Sequence, residues 1–510
     1  MNLFWLVFRI GSKPTRINYP CQRTALSNFS FTLSVITPVS LATSFTMMVK
    51  DFFSKNSTII LSMLLIGTIS GGIFLKTAEP KPFQEIQLTL NSQTASIAPA
   101  SDIFVVNGRK AANIERLMNL MGSQGLLFYN SSETKENQGP DGLIASNDVV
   151  LLKINAQWPY RGGTNTDLLK EIVQAIINHP DGFTGEIVVA DNGQGRGNLD
   201  WTQNNAENRS QSAQNVVDLY SVSYSVSTYN WQAIRGHRVQ EYSDGDTADG
   251  YCLNETADAE TGIKVSYPKF KTSFGTNISL KHGIWNGNAY ETRLKVINLP
   301  VLKSHFVYGV TGVLKNYMGV QSEGEANAGG LANGHKSVAT GGMGTLMVEC
   351  GLPVLSIIDA IWINANPSPS SFQGPSTPYE LSTRVNVIIA GRDPVALDYW
   401  AAKYVLMKTS NEIGYEDTRS LDPENTEKTV LEESFGVWFR LTQEELERGG
   451  FQVTSDPSQM NVYVDEEHES VGTSSTTTTS STTPAPQVTL LIASVLTISF
   501  LALRKRRQTL

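Results

Sequence analysis

A strand–helix–strand pattern in residues 148–191 limits the fold more than any other feature of the chain. The run Asp148–Asn155 (DVVLLKIN) is strongly apolar, and Glu186–Asp191 (EIVVAD) is a second run of the same kind. Between them, Asp167–Asn178 has the apolar spacing of a helix, with Thr166 as the predicted N-cap. Such a unit joins two parallel strands through a right-handed crossover. The sequence therefore predicts an α/β fold built on a parallel sheet.

Further apolar runs extend this prediction. Val296–Leu302, Val354–Asp359 and Arg384–Ala390 have the length and composition of buried strands. Residues 221–290 are instead rich in Ser, Thr, Tyr, Gly and Asp, with short alternating patches. We predict an open, mostly parallel sheet with helices on both faces, and a β- and loop-rich insertion at 221–290 that covers one edge of the sheet.

Both ends of the chain carry apolar segments, at 58–75 and 488–503. Basic residues flank the outer side of each segment, which places both chain ends in the cytoplasm and the main domain outside it. We therefore expect a protein of the cell membrane, with the N-terminal segment either cleaved as a signal peptide or kept as an anchor. The predicted organisation is an N-terminal extension with the signal or anchor segment (1–78), a linker (79–100), the α/β domain (101–470), a Ser/Thr/Pro stalk (471–487), a transmembrane helix (488–503) and a basic cytoplasmic tail (504–510).

Charge and cysteine content exclude some classes of partner and cofactor. The formal net charge is −8 and no dense Lys/Arg face is evident, which argues against nucleic acid as a partner. The three cysteines have no CxxC spacing, so neither a zinc site nor an iron–sulfur cluster is expected. Two alternatives stay open for Cys252 and Cys350, namely one disulfide or two separate thiols.

The most informative polar residues follow the run Val296–Leu302. Lys303 and His305 come directly after it, and Lys315 lies about one helical turn beyond Thr311. A strand end that supplies Lys and His, followed by a helix start that supplies Thr, Lys and Asn, makes a concave polar site. Such a site suits an anion, a metal–anion pair or a carbonyl oxygen.

Polar side chains also follow the other predicted strands, and parallel strands bring their carboxyl ends to one edge of a sheet. Lysines there suit phosphate, sulfate or carboxylate groups, and a lysine whose pKa is lowered by its neighbours can act as a base. Carboxylates suit magnesium, manganese or calcium, although Asp393 is also a predicted helix cap. The predicted catalytic residues are Lys153, Lys303, His305, Lys315 and Asn316, the predicted ligand-binding residues are Asn155, Thr311, Gly193, Gly195 and Asp398, and the predicted metal ligands are Asp191, Asp359 and Asp393.

Five sequence blocks together resemble a known family. They are Val150–Asn155 (VLLKIN), Leu302–His305 (LKSH), Val310–Gly319 (VTGVLKNYMG), Ile357–Ala360 (IIDA) and Gly391–Asp398 (GRDPVALD). In type and order they are similar to the domain of unknown function 362 family, over roughly residues 100–410. The resemblance implies an α/β domain with a polar site and no particular reaction. Some relatives carry ferredoxin-like cysteine clusters, which this chain lacks.

Two hypotheses for the function follow. The first is a membrane-anchored extracytoplasmic enzyme that acts on an anionic small molecule or surface polymer, with a divalent metal as the one cofactor the residues suggest. The alternative is a non-catalytic cell-surface protein that holds a ligand or glycan, through the same crevice or through the insertion at 221–290.

Overall fold

The structure is a computed structural model, and its description covers seven stretches of the chain. They are residues 84–108, 113–195, 197–201, 204–322, 334–369, 376–430 and 434–466.

Nineteen strands lie within these stretches. In chain order they are β1 (Gln84–Glu85), β2 (Ser101–Asn107), β3 (Tyr129–Asn130), β4 (Gln138–Gly139), β5 (Ile144–Ala145), β6 (Val149–Ile154), β7 (Glu186–Asp191), β8 (Ser225–Asn230), β9 (Gly250–Leu253), β10 (Ser266–Lys271), β11 (Asn277–Ser279), β12 (Gly283–Trp285), β13 (Tyr290–Glu291), β14 (Leu294–Leu299), β15 (Val301–His305), β16 (Gly309–Thr311), β17 (Leu355–Asn364), β18 (Thr383–Gly391) and β19 (Met460–Glu466).

Nine α-helices accompany the strands in the described stretches. They are α1 (Ile114–Ser123), α2 (Thr166–Ile177), α3 (Ala213–Tyr220), α4 (Val313–Asn316), α5 (Gly334–Ala339), α6 (Gly342–Cys350), α7 (Pro394–Trp400), α8 (Met407–Glu412) and α9 (Phe435–Arg448). A π-helical stretch, Ala401–Leu406, connects α7 to α8.

The central sheet has eleven strands, with the main order β19-β2-β18-β17-β14-β6-β7-β8. The five strands from β17 to β8 run parallel, while β18 is antiparallel to both β17 and β2. All six residues of β6 are buried. A parallel strand covered on both faces requires apolar residues on both sides, which explains its continuous apolar sequence.

Helices cover both faces of this sheet. Val149 and Leu151 of β6 belong to one hydrophobic cluster, together with residues of α6, α7 and α9. Val150 and Leu152 belong to the other cluster, together with α1, α2 and α3. Since successive side chains of a strand point to opposite faces, the two clusters are the two sides of the sheet. The fold is therefore mixed α/β with a mostly parallel central sheet.

The order of the parallel strands reverses between β6 and β14. From β6 the chain passes through α2 to β7 and through α3 to β8, always to the same side. The strand β14 lies on the other side of β6, and the chain continues from it, away from β6, to β17. Strand connections that diverge in this way leave a crevice at the carboxyl ends of the two strands, where open α/β sheets bind ligands.

Two strand predictions need correction. The predicted strand Val296–Leu302 is divided between β14 and β15, because Pro300 has no N–H for the sheet ladder and β15 pairs with β17 instead. The last predicted strand, β18, runs antiparallel to β17. Its carboxyl end therefore lies at the other end of the sheet from the carboxyl ends of the parallel strands.

The predicted insertion and linker also have different bounds in the structure. The insertion is an antiparallel five-stranded sheet, β9 to β13, whereas β8 within 221–290 is the edge strand of the central sheet. The predicted linker is partly folded, because β1 pairs with β18 and the side chains of Leu88 and Leu90 are buried. Sequence periodicity is weak there since only isolated side chains reach the core.

The predicted membrane segments, 58–75 and 488–503, lie outside the described residues and remain predictions. Within the described stretches, no helix has the length and apolar character needed to cross a membrane. Cys252 and Cys350 are both free thiols.

Candidate functional site

The crevice between β6 and β14 begins with a buried ion pair. Lys153 Nζ lies 2.8 Å from Asp191 Oδ1 and donates a hydrogen bond to the carbonyl oxygen of Ile154 (2.8 Å). The other carboxylate oxygen, Asp191 Oδ2, accepts the backbone N–H groups of Ala156 (3.0 Å) and Gly193 (3.1 Å). Burial lowers the pKa of Lys153, and the charge of Asp191 opposes that shift. The two side chains are therefore held at ion-pair distance, with the further hydrogen bonds that a buried pair requires.

A second lysine, Lys303 of β15, enters the crevice from the other side. Its side chain is 2% exposed, and its Nζ donates to the carbonyl oxygen of Gly162. Burial and the positive charge of Lys315 hold the pKa of Lys303 well below its usual range, while Asp191 and Asp359 act in the opposite direction. These influences place two of the predicted carboxylates and two of the predicted lysines in one electrostatic neighbourhood.

The third lysine, Lys315 of α4, differs from the other two. Its side chain is 4% exposed, yet its Nζ has no hydrogen-bond or ion-pair partner in the described part of the chain. Burial lowers its pKa to about 7. Near neutral pH this amine is therefore partly protonated and partly neutral. A small change in pH, or an anion bound beside the amine, would shift the balance between the two forms.

Asp359 of β17 lies close to the positive charges of Lys303 and Arg161. Its Oδ2 accepts the backbone N–H of Asn165 (2.8 Å) and Nδ2 of Asn205 (3.1 Å), and its Oδ1 accepts the N–H of Ile361 (3.1 Å). Burial raises the pKa of Asp359 to about 7, although these backbone hydrogen bonds and Lys303 lower it. Its oxygens are occupied by protein donors, so its role is to fix the surrounding loops.

The position of Lys315 depends on Asp398 of α7. The two carboxylate oxygens of Asp398 accept the backbone N–H groups of Val313 (2.6 Å) and Leu314 (3.0 Å). A Cβ at Gly312 would overlap this carboxylate, so only glycine permits the close approach. Asp398 was predicted to bind ligand, and the structure instead makes it the residue that positions α4. The N-terminus of this helix is thus already occupied by a carboxylate.

Gly319 makes a second close contact, with the ion pair of Lys153 and Asp191. The backbone of Gly319 packs against Lys153 and Asp191, and a Cβ there would overlap both side chains. The carbonyl oxygen of Gly319 accepts the N–H of Asn192 (3.1 Å). Gly312 and Gly319 lie at the two ends of the segment that carries Lys315. Each is required to be glycine by a different close contact.

Several neutral polar atoms in this region lack protein partners. Asn298 accepts Nδ2 of Asn316 (2.7 Å) and donates to the carbonyl oxygen of Val313 (3.1 Å). In contrast, the buried atoms Asn155 Oδ1, Thr311 Oγ1 and Asn316 Oδ1 have no hydrogen-bond partner among the residues that the structure describes. Unsatisfied buried polar atoms are costly, so these three atoms have hydrogen-bonding capacity that a bound polar group or water could use.

Three other predicted site residues have different surroundings. Thr311 does not begin a helix but lies in β16, where it pairs with Lys303, and α4 begins two residues later. His305 stacks on Phe306 (5.1 Å between ring centroids), and its Nδ1 accepts the N–H of Val307 (3.1 Å). Gly195 lies in the turn after β7 with φ of +74°.

Asp393 lies apart from the lysines. Its Oδ1 accepts the backbone N–H groups of Val395 (2.9 Å) and Ala396 (3.1 Å), as expected of a helix N-cap. Its Oδ2 accepts the hydroxyl of Ser101 (2.6 Å) and the N–H of Thr454 (2.9 Å). Because β18 is antiparallel to β17, the carboxyl end of β18 lies beside the first residues of β17. Asp393 follows β18 and is therefore at the opposite end of the strands from the lysines.

The structure does not bring the three predicted metal ligands, Asp191, Asp359 and Asp393, together. Asp393 is remote from the other two, and protein donors occupy the carboxylates of all three residues. Within the described stretches, no group of three or more His, Cys, Asp or Glu residues is arranged to hold a metal ion.

Sequence reasoning missed two contributors to the site. Arg161 is 2% exposed, its guanidinium lies 3.9 Å from the ring centroid of Trp362, and its charge acts on Asp359. It lies in a single 3₁₀ turn, Tyr160–Gly162, which is too short to give a periodic pattern, so no sequence signal was available. Asn298 did give a signal, since it is the one polar residue between Val296 and Leu302.

The fold and the site define an α/β protein with three buried lysines at the crevice where the strand order of a mostly parallel sheet reverses. Residues 280–403 match the family described as domain of unknown function 362. This match includes four of the five blocks that carry the resemblance and leaves out Val150–Asn155. No curated protein and no solved structure matches the chain.

Proposed function

We propose that this protein binds a small anionic molecule, carrying carboxylate or phosphate groups, in the crevice between β6 and β14. The observation that carries the proposal is Lys315, a buried amine without a protein partner in the described residues, close enough to Lys303 to lower the pKa of that residue. Two neighbouring buried cations repel each other. An anion between them would relieve the repulsion and would supply the acceptor that Lys315 lacks.

The neutral polar groups of the crevice support a ligand with donors as well as charge. Asn155 Oδ1 and Asn316 Oδ1 can each accept a hydrogen bond, and the hydroxyl of Thr311 can donate or accept one. A hydroxylated carboxylate or a phosphate ester has this combination of groups. Lys153 is already paired with Asp191, so we assign it a positioning role.

The state of Lys315 also supports catalysis. An amine with a pKa of about 7 can take a proton from a bound substrate at neutral pH, whereas an ordinary lysine cannot. Proton removal from a carbon next to the ligand's carboxylate is open to this amine only if the carboxylate bonds to Lys303 and leaves Lys315 neutral. Proton NMR in D₂O distinguishes the enzyme from a binding protein, because only the enzyme exchanges the ligand's C–H for deuterium.

Binding is tested by thermal-shift screening of the full-length protein against phosphate, pyrophosphate, malonate, malate and citrate. A ligand that raises Tm in this screen should bind Lys315→Met roughly 10- to 100-fold more weakly, since a charge-assisted hydrogen bond is lost. Lys271→Met removes an exposed lysine and is the matched control. If no anion raises Tm, or if both variants bind like the wild type, the proposal fails.

We further propose that the protein is anchored to the membrane with this domain outside the cytoplasm. The support is the sequence alone, namely the apolar segments 58–75 and 488–503 with their basic outer flanks. Carbonate extraction of cell membranes should leave the full-length chain in the pellet. Removal of both segments should move the chain to the soluble fraction, and a full-length chain that carbonate extracts would contradict the anchor.

A further inference from the structure

A second cavity lies at the other end of the parallel strands, away from the lysines. It has a volume of about 460 Å³ and is lined by the first residues of β6, β7 and β8 on one side and by the antiparallel sheet on the other. Its size lies in the range of small-molecule binding sites. Because Lys153 is near the carboxyl end of β6 and Val149 begins it, this cavity is separate from the lysine crevice.

Two aromatic side chains form part of the cavity wall. Trp285 of β12 pairs with Asn277 of β11 and rests on Tyr290, with ring centroids 4.9 Å apart. Phe274 stands in the turn between β10 and β11, and 49% of its surface is exposed. Aromatic rings held in position but partly exposed offer flat apolar faces to a ligand.

Planar polar groups lie beside these rings in a fixed arrangement. Glu291 accepts Nδ2 of Asn286 (3.0 Å) through one oxygen and Nε and Nη2 of Arg293 (3.0 and 2.8 Å) through the other. Arg293 also donates to the carbonyl oxygen of Asn147 (2.6 Å). These bonds lock an amide, a carboxylate and a guanidinium while leaving each with further hydrogen-bonding capacity.

The charges of the cavity argue against an anionic ligand. Arg293 is already paired with Glu291, and the buried carboxyl of Glu186, which accepts the hydroxyl of Thr276 (2.6 Å), also lines the cavity. Burial raises the pKa of Glu186. The surface is therefore balanced or slightly acidic, and it favours a neutral ligand with many hydroxyl groups.

We propose that this cavity is a carbohydrate-binding site that takes a neutral sugar. The C–H face of a pyranose ring would stack on Trp285 or Phe274, and its hydroxyls would bond to Asn286, Glu291 and Arg293. A sugar combines the apolar face and the neighbouring hydroxyls that this lining requires. The proposal adds a binding site to the anion site and does not depend on it.

The test is titration of the full-length protein with cellobiose, maltose, lactose and chitobiose, monitored by tryptophan fluorescence and calorimetry. At least one sugar should bind, and Trp285→Ala should weaken that binding by about tenfold or more because the stacking surface is lost. Trp285→Phe should keep part of the affinity, and Asn286→Ala should reduce it. Tyr415→Ala removes an exposed aromatic side chain (37% exposed) outside the cavity and should bind like the wild type.

Circular dichroism and Tm should show that the Trp285 and Asn286 variants are folded. Absence of binding by the wild type to all four sugars would overturn the proposal, as would binding that Trp285→Ala and Asn286→Ala leave unchanged. Lys315→Met should bind sugar normally, so the failure of either site can be recognised independently of the other.

Discussion

At the scale of single residues, the chemistry of this protein depends on one amine. Lys153 has an ion-pair partner and Lys303 has a carbonyl acceptor, but Lys315 has neither in the described residues. A buried charge without a partner is expensive, so the folded protein favours the neutral form of Lys315. This preference has a measurable effect on stability.

Lys315→Met should stabilise the protein at low pH. The pKa of Lys315 falls from 10.5 to about 7 on folding, so between these values the unfolded chain binds more protons and wild-type stability rises with pH. Methionine removes the cost of burying the charge, so the variant should gain roughly 1–4 kcal/mol near pH 6 and lose this advantage towards pH 10. Urea unfolding at both pH values measures this. Equal stability of variant and wild type at both values would contradict the assignment, and Lys271→Met is the control.

At the scale of secondary structure, the site is assembled by contacts between elements distant in sequence. The loop after β16 and helix α4 are held by Asp398 of α7, and Asn298 of β14 holds the end of α4 through Asn316. Two conspicuous sequence blocks, TGVLKN and DPVALD, are thus structural partners. The block DPVALD positions α4 through Asp398, and the block TGVLKN carries the proposed ligand groups Thr311, Lys315 and Asn316.

Asp398→Asn should destabilise the protein and weaken anion binding together. An asparagine amide can accept only one of the two N–H groups of Val313 and Leu314, and its own NH₂ faces the other, so a loss of about 1–3 kcal/mol is expected. Urea unfolding and anion titration measure the two effects. Asp200→Asn, at an exposed position, should change neither. Unchanged anion affinity in a destabilised Asp398→Asn protein would mean that α4 does not carry the site.

The sequence predicted β6, β7 and β17 because their apolar runs are continuous, as a strand buried on both faces requires. The edge strand β8 (SVSTYN) has no such run, and its residues were assigned to the insertion. The sequence also predicted the convergence of Lys153, Asp191, Lys303, Lys315 and Asp359, which follow or lie near the ends of the apolar runs. Asp393 was placed with them because an apolar run does not reveal strand direction. The antiparallel pairing of β18 and the division at Pro300 depend on long-range contacts that periodicity does not encode.

At the scale of the whole molecule, the central sheet is enclosed by elements from both ends of the described chain. Residues predicted to be a linker supply β1 beside β18, and the N–H of Gln93 donates to the carbonyl oxygen of Val462 (2.8 Å). Leu88 and Leu90 join the cluster that also contains α7 and α9. The domain therefore begins earlier than its sequence pattern indicates.

Leu88→Ala should test this boundary. The side chain is 2% exposed, and truncation of a buried leucine costs about 2–5 kcal/mol through lost contacts and a cavity. Ile97→Ala, where 51% of the side chain is exposed, should cost much less. Thermal and urea unfolding of the two variants provide the comparison. Similar, small effects would show that residues before Ser101 are dispensable for the fold.

The most direct test of the anion site is proton uptake on ligand binding. Calorimetric titration near pH 7.5, in two buffers of different ionisation enthalpy, counts the protons taken up when the best anion binds. An anion beside Lys315 raises the pKa of this residue, so the wild type should take up a fraction of a proton and Lys315→Met should take up markedly less. Anion binding without proton uptake, or equal uptake by wild type and Lys315→Met, would contradict the account.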